Sequence, residues 1–125
     1  MRLPPAVPEL PVDDIAKAGD YYRDKMGFSV DWVYQDFLSG ISRDDSRIFL
    51  RKRTEEESGA GYGVLIWLNL DSASDVDRLH GEWKRNGVTI VQELETSDYN
   101  LRQFIARDAD GNMFRVFHDL GPSKD

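Results

Sequence analysis

The chain has 125 residues, a net charge of −7 from 23 acidic and 16 basic side chains, and no cysteine. That length suits one domain, or one domain of two related halves; the missing cysteine excludes a disulfide framework, a thiolate zinc site and a cysteine nucleophile. The acidic balance argues against a nucleic-acid footprint, and the longest apolar run, Val64 to Leu68, is too short to cross a membrane as a helix. The opening residues do not read as a charged-then-apolar leader, so the expected compartment is the cytoplasm.

Taken in order, Ala6 to Val12 is a strand candidate that ends at Asp13-Asp14, two residues able to cap a helix. Ile15, Ala18, Tyr22 and Met26 recur at helical spacing, and Gly27 supplies the left-handed residue that stops the helix. Phe28 to Tyr34, Ser39 to Arg43 and Arg47 to Lys52 read as three further strands. The basic residues between Arg47 and Arg53 alternate with Ile48, Phe49 and Leu50, the pattern of a strand with one solvated face.

Thr54 to Gly61 is polar and glycine-bearing enough to be a linker, with Glu55-Glu56-Glu57 as a solvated charge run. The pattern then starts again. Gly63 to Asp71 is a strand candidate, and Ser74 with Asp77 reads as a capping box before the stripe Val76, Leu79, Trp83. Gly87 stops this second helix at the same distance from its cap as Gly27 from Asp14. Strands over Val88 to Leu94, Gln103 to Arg107 and Met113 to His118 follow, the last two joined by Arg107-Asp108-Ala109-Asp110-Gly111-Asn112. The unit is β-α-β-β-β, twice: an α+β domain with halves at about 5–53 and 62–118 and a linker at about 54–61.

Little in the chain suggests covalent catalysis. There is no nucleophile elbow, no glycine-rich phosphate loop and no pair of acids marked as buried, so no catalytic residue is assigned. His80 and His118 are the only histidines, which rules out a three-histidine metal site within one chain; both read as surface or edge residues. Of the aromatic side chains, Phe28, Phe49, Trp83, Phe114 and Phe117 are expected in the core.

Ala6-Val7-Pro8-Glu9-Leu10-Pro11-Val12-Asp13-Asp14-Ile15, Tyr21-Tyr22-Arg23-Asp24-Lys25-Met26-Gly27-Phe28, Asp36-Phe37 and Asp108-Ala109-Asp110-Gly111-Asn112 together resemble the bleomycin-resistance proteins. These belong to the glyoxalase, bleomycin-resistance and dioxygenase superfamily, also called vicinal oxygen chelate, and the resemblance covers nearly the whole chain. It implies two βαβββ repeats forming a cleft-shaped domain, in most members paired into a homodimer. Enzymes of the superfamily hold a divalent metal on strands of both halves. The matching positions here carry Val7, Arg115 and a strand from Gly63 to Trp67 without His, Gln, Asp or Glu, so no metal and no cofactor are expected.

In the metal-free relatives aromatic side chains line the cleft and stack on a flat drug. Carried over, the implied ligand-binding residues are Asp31, Trp32, Phe37, Trp67, Tyr99 and Arg115. One stretch departs from the relatives: where they read Trp-Gly-Arg-Glu-Phe, this chain reads Asn100-Leu101-Arg102-Gln103-Phe104. The resemblance therefore implies metal-independent sequestration of a small, flat, cationic antibiotic-like molecule such as bleomycin, with neither nucleic acid nor membrane as partner. The alternative it leaves is a metal-dependent lyase, isomerase or dioxygenase.

Overall fold

The computed structural model describes residues 1–58 and 63–122. The chain divides into two compact units, Met1–Gly63 and Val64–Asp125. The first holds β1 (Glu9–Val12), α1 (Ile15–Met26), β2 (Ser29–Tyr34), β3 (Leu38–Arg43) and β4 (Ser46–Lys52). The second holds β5 (Leu65–Asn69), α2 (Ala73–Arg85), β6 (Thr89–Thr96), β7 (Leu101–Arg107) and β8 (Met113–Asp119).

Each unit is one four-stranded sheet with one helix. The strand orders are β1-β4-β3-β2 and β5-β8-β7-β6. In both, the first strand pairs parallel with the last and the other pairings are antiparallel. The expected α+β architecture of two βαβββ repeats is the observed one.

Asp14 caps α1, its carboxylate accepting from the Lys17 amide at 2.9 Å, and Gly27 ends it at φ 77°. Ile15, Ala18, Tyr22 and Met26 are buried with Leu10, Val12, Ile41, Ile48 and Leu50 from the sheet. Phe28 closes that core edge-on to Tyr22, ring centres 5.5 Å apart. In the second unit Trp83 takes the central place, edge-on to Phe104 and Phe114 at 5.9 Å each, among Val76, Ala106 and Val116.

Several boundaries move. β1 begins at Glu9 rather than Ala6, because Pro4, Pro5 and Pro8 have no N–H to donate to a ladder. β5 spans only Leu65–Asn69 of the expected Gly63 to Asp71. The cap of α2 is Ser72, not Ser74: Ser72 is extended and its hydroxyl accepts from the Asp75 amide at 3.1 Å, while Ser74 lies inside the first turn. Of the expected linker, Glu55–Glu57 form a short 3-10 turn, and Gly59 to Gly61 lie outside the described residues.

The turn between β7 and β8 is held by a buried carboxylate. Asp108 accepts from the amides of Asp110 and Asn112 at 2.8 Å each and from the Asn112 side chain at 3.0 Å. The side-chain oxygen of Asn112 in turn accepts from the Val64 amide at 3.0 Å, which ties the approach to β5 to this turn.

Candidate functional site

A four-stranded sheet with a helix on one face leaves the other face for something else. In the first unit, cross-strand register puts Glu9, Phe49, Gly40 and Trp32 in one row, with Pro11, Arg51, Leu38 and Tyr34 in the next. Both rows fall on the face opposite the residues that α1 covers, since side chains alternate along a strand. Trp32 reaches this face because β2 carries a bulge: Val30 pairs with Ile41, but Trp32 pairs with Gly40, leaving Asp31 as the extra residue.

The indole of Trp32 lies directly over Gly40. A Cβ there would sit 2.2 Å from the ring nitrogen, so the missing side chain is what lets the ring lie down on the strand. Phe49 meets the indole edge-on at 5.4 Å, and the residue remains 39% exposed. Phe37 is exposed in the turn between β2 and β3, where its carbonyl accepts from the Lys52 amide at 2.8 Å. Asp31 is exposed at the bulge.

Below this row Arg51 is fixed by two acids. Its guanidinium donates to both oxygens of Glu57, at 2.9 and 2.7 Å, and pairs with Glu9 at 3.2 Å. Arg51 and the Thr54 amide hold the Glu57 carboxyl down to about 2 and the guanidinium well above its ordinary value. Glu57 is thus not part of a solvated charge run. The 3-10 turn folds it back onto β4, whereas Glu55 and Glu56 are exposed as expected.

In the second unit the equivalent row is Trp67, Arg115, Ile105 and Gln92, with Asn69, Phe117, Gln103 and Glu95 beside it. Trp67 is 53% exposed and meets Phe117 edge-on at 5.4 Å. The Arg115 guanidinium lies over the Trp67 ring, 4.7 Å from its centre, and donates to the Gln103 carbonyl oxygen at 2.9 Å. Gln103 is fully buried, and its amide donates to the Tyr99 hydroxyl at 3.0 Å and to Glu95 at 3.2 Å. One glutamine therefore links Arg115, Tyr99 and Glu95.

The residues named from the sequence fall into two groups. Trp67, Tyr99 and Arg115 come together around Gln103 in the second unit; Trp32, Asp31 and Phe37 lie on or beside one edge strand in the first. Phe49 and Phe117 are corrected. Both are half-buried on the open faces, each against an exposed tryptophan, whereas Phe28, Trp83 and Phe114 are core. Gly40 and Gln103 were not singled out. A lone glycine inside a strand is itself a signal of close approach; a buried glutamine has no such signature.

The histidines are corrected too. His80 lies edge-on to Phe104 at 5.2 Å, its side chain 14% exposed, because it flanks the buried stripe of α2. His118 stands on β8, an inner strand, and its ring N–H donates to the Leu70 carbonyl at 2.8 Å. The positions that would hold a metal in the enzymes do not fit one: Val7 is aliphatic, Arg115 is a fixed cation, and β5 offers no His or acid. Among the described residues no three His, Asp or Glu side chains come together. No helix is long and apolar enough to cross a membrane.

The model of the Glyoxalase/Bleomycin resistance protein/Dioxygenase superfamily matches residues 4–116. Among solved structures, a glyoxalase/bleomycin resistance protein/dioxygenase from Alicyclobacillus acidocaldarius is similar at TM-score 0.79 and 16% identity, covering 97% of this chain and 96% of that one. A bleomycin-binding protein complexed with bleomycin is similar at TM-score 0.75 and 17% identity, with 94% and 99% covered. A lactoylglutathione lyase from Agrobacterium tumefaciens follows at TM-score 0.72 and 16% identity, with 92% and 95% covered. At such identities these likenesses speak for the fold alone. No curated protein matches the chain by sequence.

Proposed function

The chain belongs to the glyoxalase/bleomycin resistance protein/dioxygenase superfamily, and within it we propose that this protein binds and sequesters a small, flat, antibiotic-like molecule such as bleomycin without a metal. The observation that carries the reading is the pair of tryptophans, Trp32 and Trp67. Each lies on the helix-free face of its own sheet, braced edge-on by a phenylalanine and left about half open. An exposed large aromatic costs solubility unless something flat is to lie on it. The net charge of −7 raises the local concentration of a cationic ligand, and Asp31 at the bulge of β2 adds an exposed carboxylate beside Trp32. The likeness to a bleomycin-binding protein supports bleomycin as the first ligand to try.

Calorimetric titration of chelator-treated protein with metal-free bleomycin tests it. The expected result is about one drug per chain at micromolar affinity or tighter, with Trp32→Ala and Trp67→Ala each losing about fivefold, the worth of one stacking contact. Flat heat removes this drug from the reading. We read the working form as a cytoplasmic homodimer; sedimentation equilibrium showing a monomer at micromolar concentration discards the dimer.

A further inference from the structure

Several arginines in this chain are met by an acid. Arg23, Arg51, Arg53, Arg78 and Arg102 each pair with a carboxylate. Arg115 differs. Its cationic side chain is half-buried in the middle of a sheet face, and among the described residues no carboxylate pairs with it. Nη1 donates to Gln103, Nε is buried without a partner, and Nη2 has none among the described residues. Glu95 reaches it only through Gln103, the buried amide standing between the two charges.

The group is nevertheless held in place. Gln103 is fully buried and tethered at its other end by Tyr99 and Glu95, so its carbonyl fixes one end of the guanidinium. Trp67 lies under the guanidinium plane, and Phe117 braces Trp67. A positioned cation with unfilled donors beside a half-open indole is a receptor for two things at once: an acceptor oxygen carrying negative charge, and a flat ring attached to it.

We propose that the open face of the second unit recognises an anionic oxygen group carried on a planar aromatic ring, with Arg115 taking the charge and Trp67 the ring. The inference deepens the reading of this chain as a small-molecule binder by naming the class of group met at this face, and it does not depend on bleomycin. It also assigns Gln103 as the positioning residue that aims Arg115. The anion supplies the counter-charge that the unliganded face lacks. An overall acidic surface selects against anions at long range, so a molecule that lodges here gains its affinity from this contact rather than from steering.

The test uses two probes with the same ring, naphthalene-2-carboxylate and the uncharged naphthalene-2-carboxamide, titrated into the intact chain. Proton–nitrogen spectra follow the indole N–H of Trp67, assigned by Trp67→Phe, and the Arg115 Nε–H, assigned by its loss in Arg115→Lys. The expected result is at least tenfold tighter binding of the carboxylate, with both signals shifting. Arg115→Gln should bring the two probes within twofold of each other, and Trp67→Ala should weaken both while keeping the preference. Equal affinity for the two probes, no binding of either, or a preference that survives in Arg115→Gln overturns the proposal. If Arg115→Gln fails to fold, the shift of the Arg115 Nε–H in the unaltered chain decides: its absence on adding carboxylate is equally fatal. Bleomycin binding without carboxylate preference removes this inference alone, and the reverse result removes only the named drug.

Discussion

Replacing Gly40 by alanine probes how Trp32 is placed. The new Cβ would stand 2.2 Å from the indole nitrogen and 2.5 and 2.9 Å from two ring carbons, so the ring has to leave the strand. Trp32 is now 39% exposed; lifting it off re-exposes on the order of 100 Å², about 2.5 kcal/mol at most. Loss of the edge-on contact with Phe49 adds about 1 kcal/mol. Against this, alanine in a strand interior is better than glycine by about 0.5–1 kcal/mol. The net expectation is a destabilisation of about 2 kcal/mol, together with about fivefold weaker bleomycin binding from the displaced stacking face. Urea melts followed by far-ultraviolet circular dichroism measure the first quantity. The decisive comparison is with Trp32→Ala, where the space over Gly40 is empty and Gly40→Ala should be neutral or slightly stabilising. If the two substitutions simply add, or if Gly40→Ala alone changes nothing, the indole does not rest on Gly40 and the account of this face is wrong.

Glu57→Gln concerns acid stability. The Glu57 carboxyl is held at about 2 in the folded chain against an ordinary 4.5, so its contribution is present above pH 4.5 and is lost as pH falls towards 2. The variant should flatten the stability profile in that window, and an unchanged slope would show that the contact with Arg51 is not formed in solution. Asp108→Ala strands three N–H donors around a buried turn and should cost about 3 kcal/mol, with Asp108→Asn in between; a loss under about 1 kcal/mol would contradict the turn as described. Asp14→Ala removes the cap of α1 and should cost about 1 kcal/mol in the same urea melts, with no change in binding at either tryptophan.

The helices were legible because their signals are local. The stripe Ile15, Ala18, Tyr22 and Met26, with Asp14 before it and Gly27 after it, specifies α1 without help from the rest of the chain. The cap of α2 is less legible: Ser74 with Asp77 matches a capping box as a pattern of residue types, whereas the backbone caps with whichever hydroxyl lies in the extended residue, here Ser72. Faces of strands were harder. Ile48-Phe49-Leu50 and Val116-Phe117 are apolar on both sides of the pleat, so hydrophobicity alone cannot say which side meets the helix and which is left to a tryptophan. The grouping of Trp67, Arg115 and Tyr99 depends on Gln103, a residue whose importance comes from cross-strand register and not from its neighbours in sequence.

Both outer strands carry the same irregularity. Val30 and Trp32 flank an unpaired residue opposite Ile41 and Gly40, and Ile90 and Gln92 flank another opposite Ala106 and Ile105. Since residues two apart on a regular strand share a side, the extra residue puts Val30 and Trp32, and likewise Ile90 and Gln92, on opposite sides; β6 shifts once more between Gln92 and Glu95. The roster presented to a ligand by each outer strand is therefore set by cross-strand pairing and not by spacing along the chain. Losing Asp31 would close the bulge, with Trp32 following Val30 directly and still opposite Gly40, and losing Val91 would do the same for Gln92 opposite Ile105. Each bulge is thus a place where an outer strand can gain or shed a residue while the row of recognition groups beyond it keeps its side.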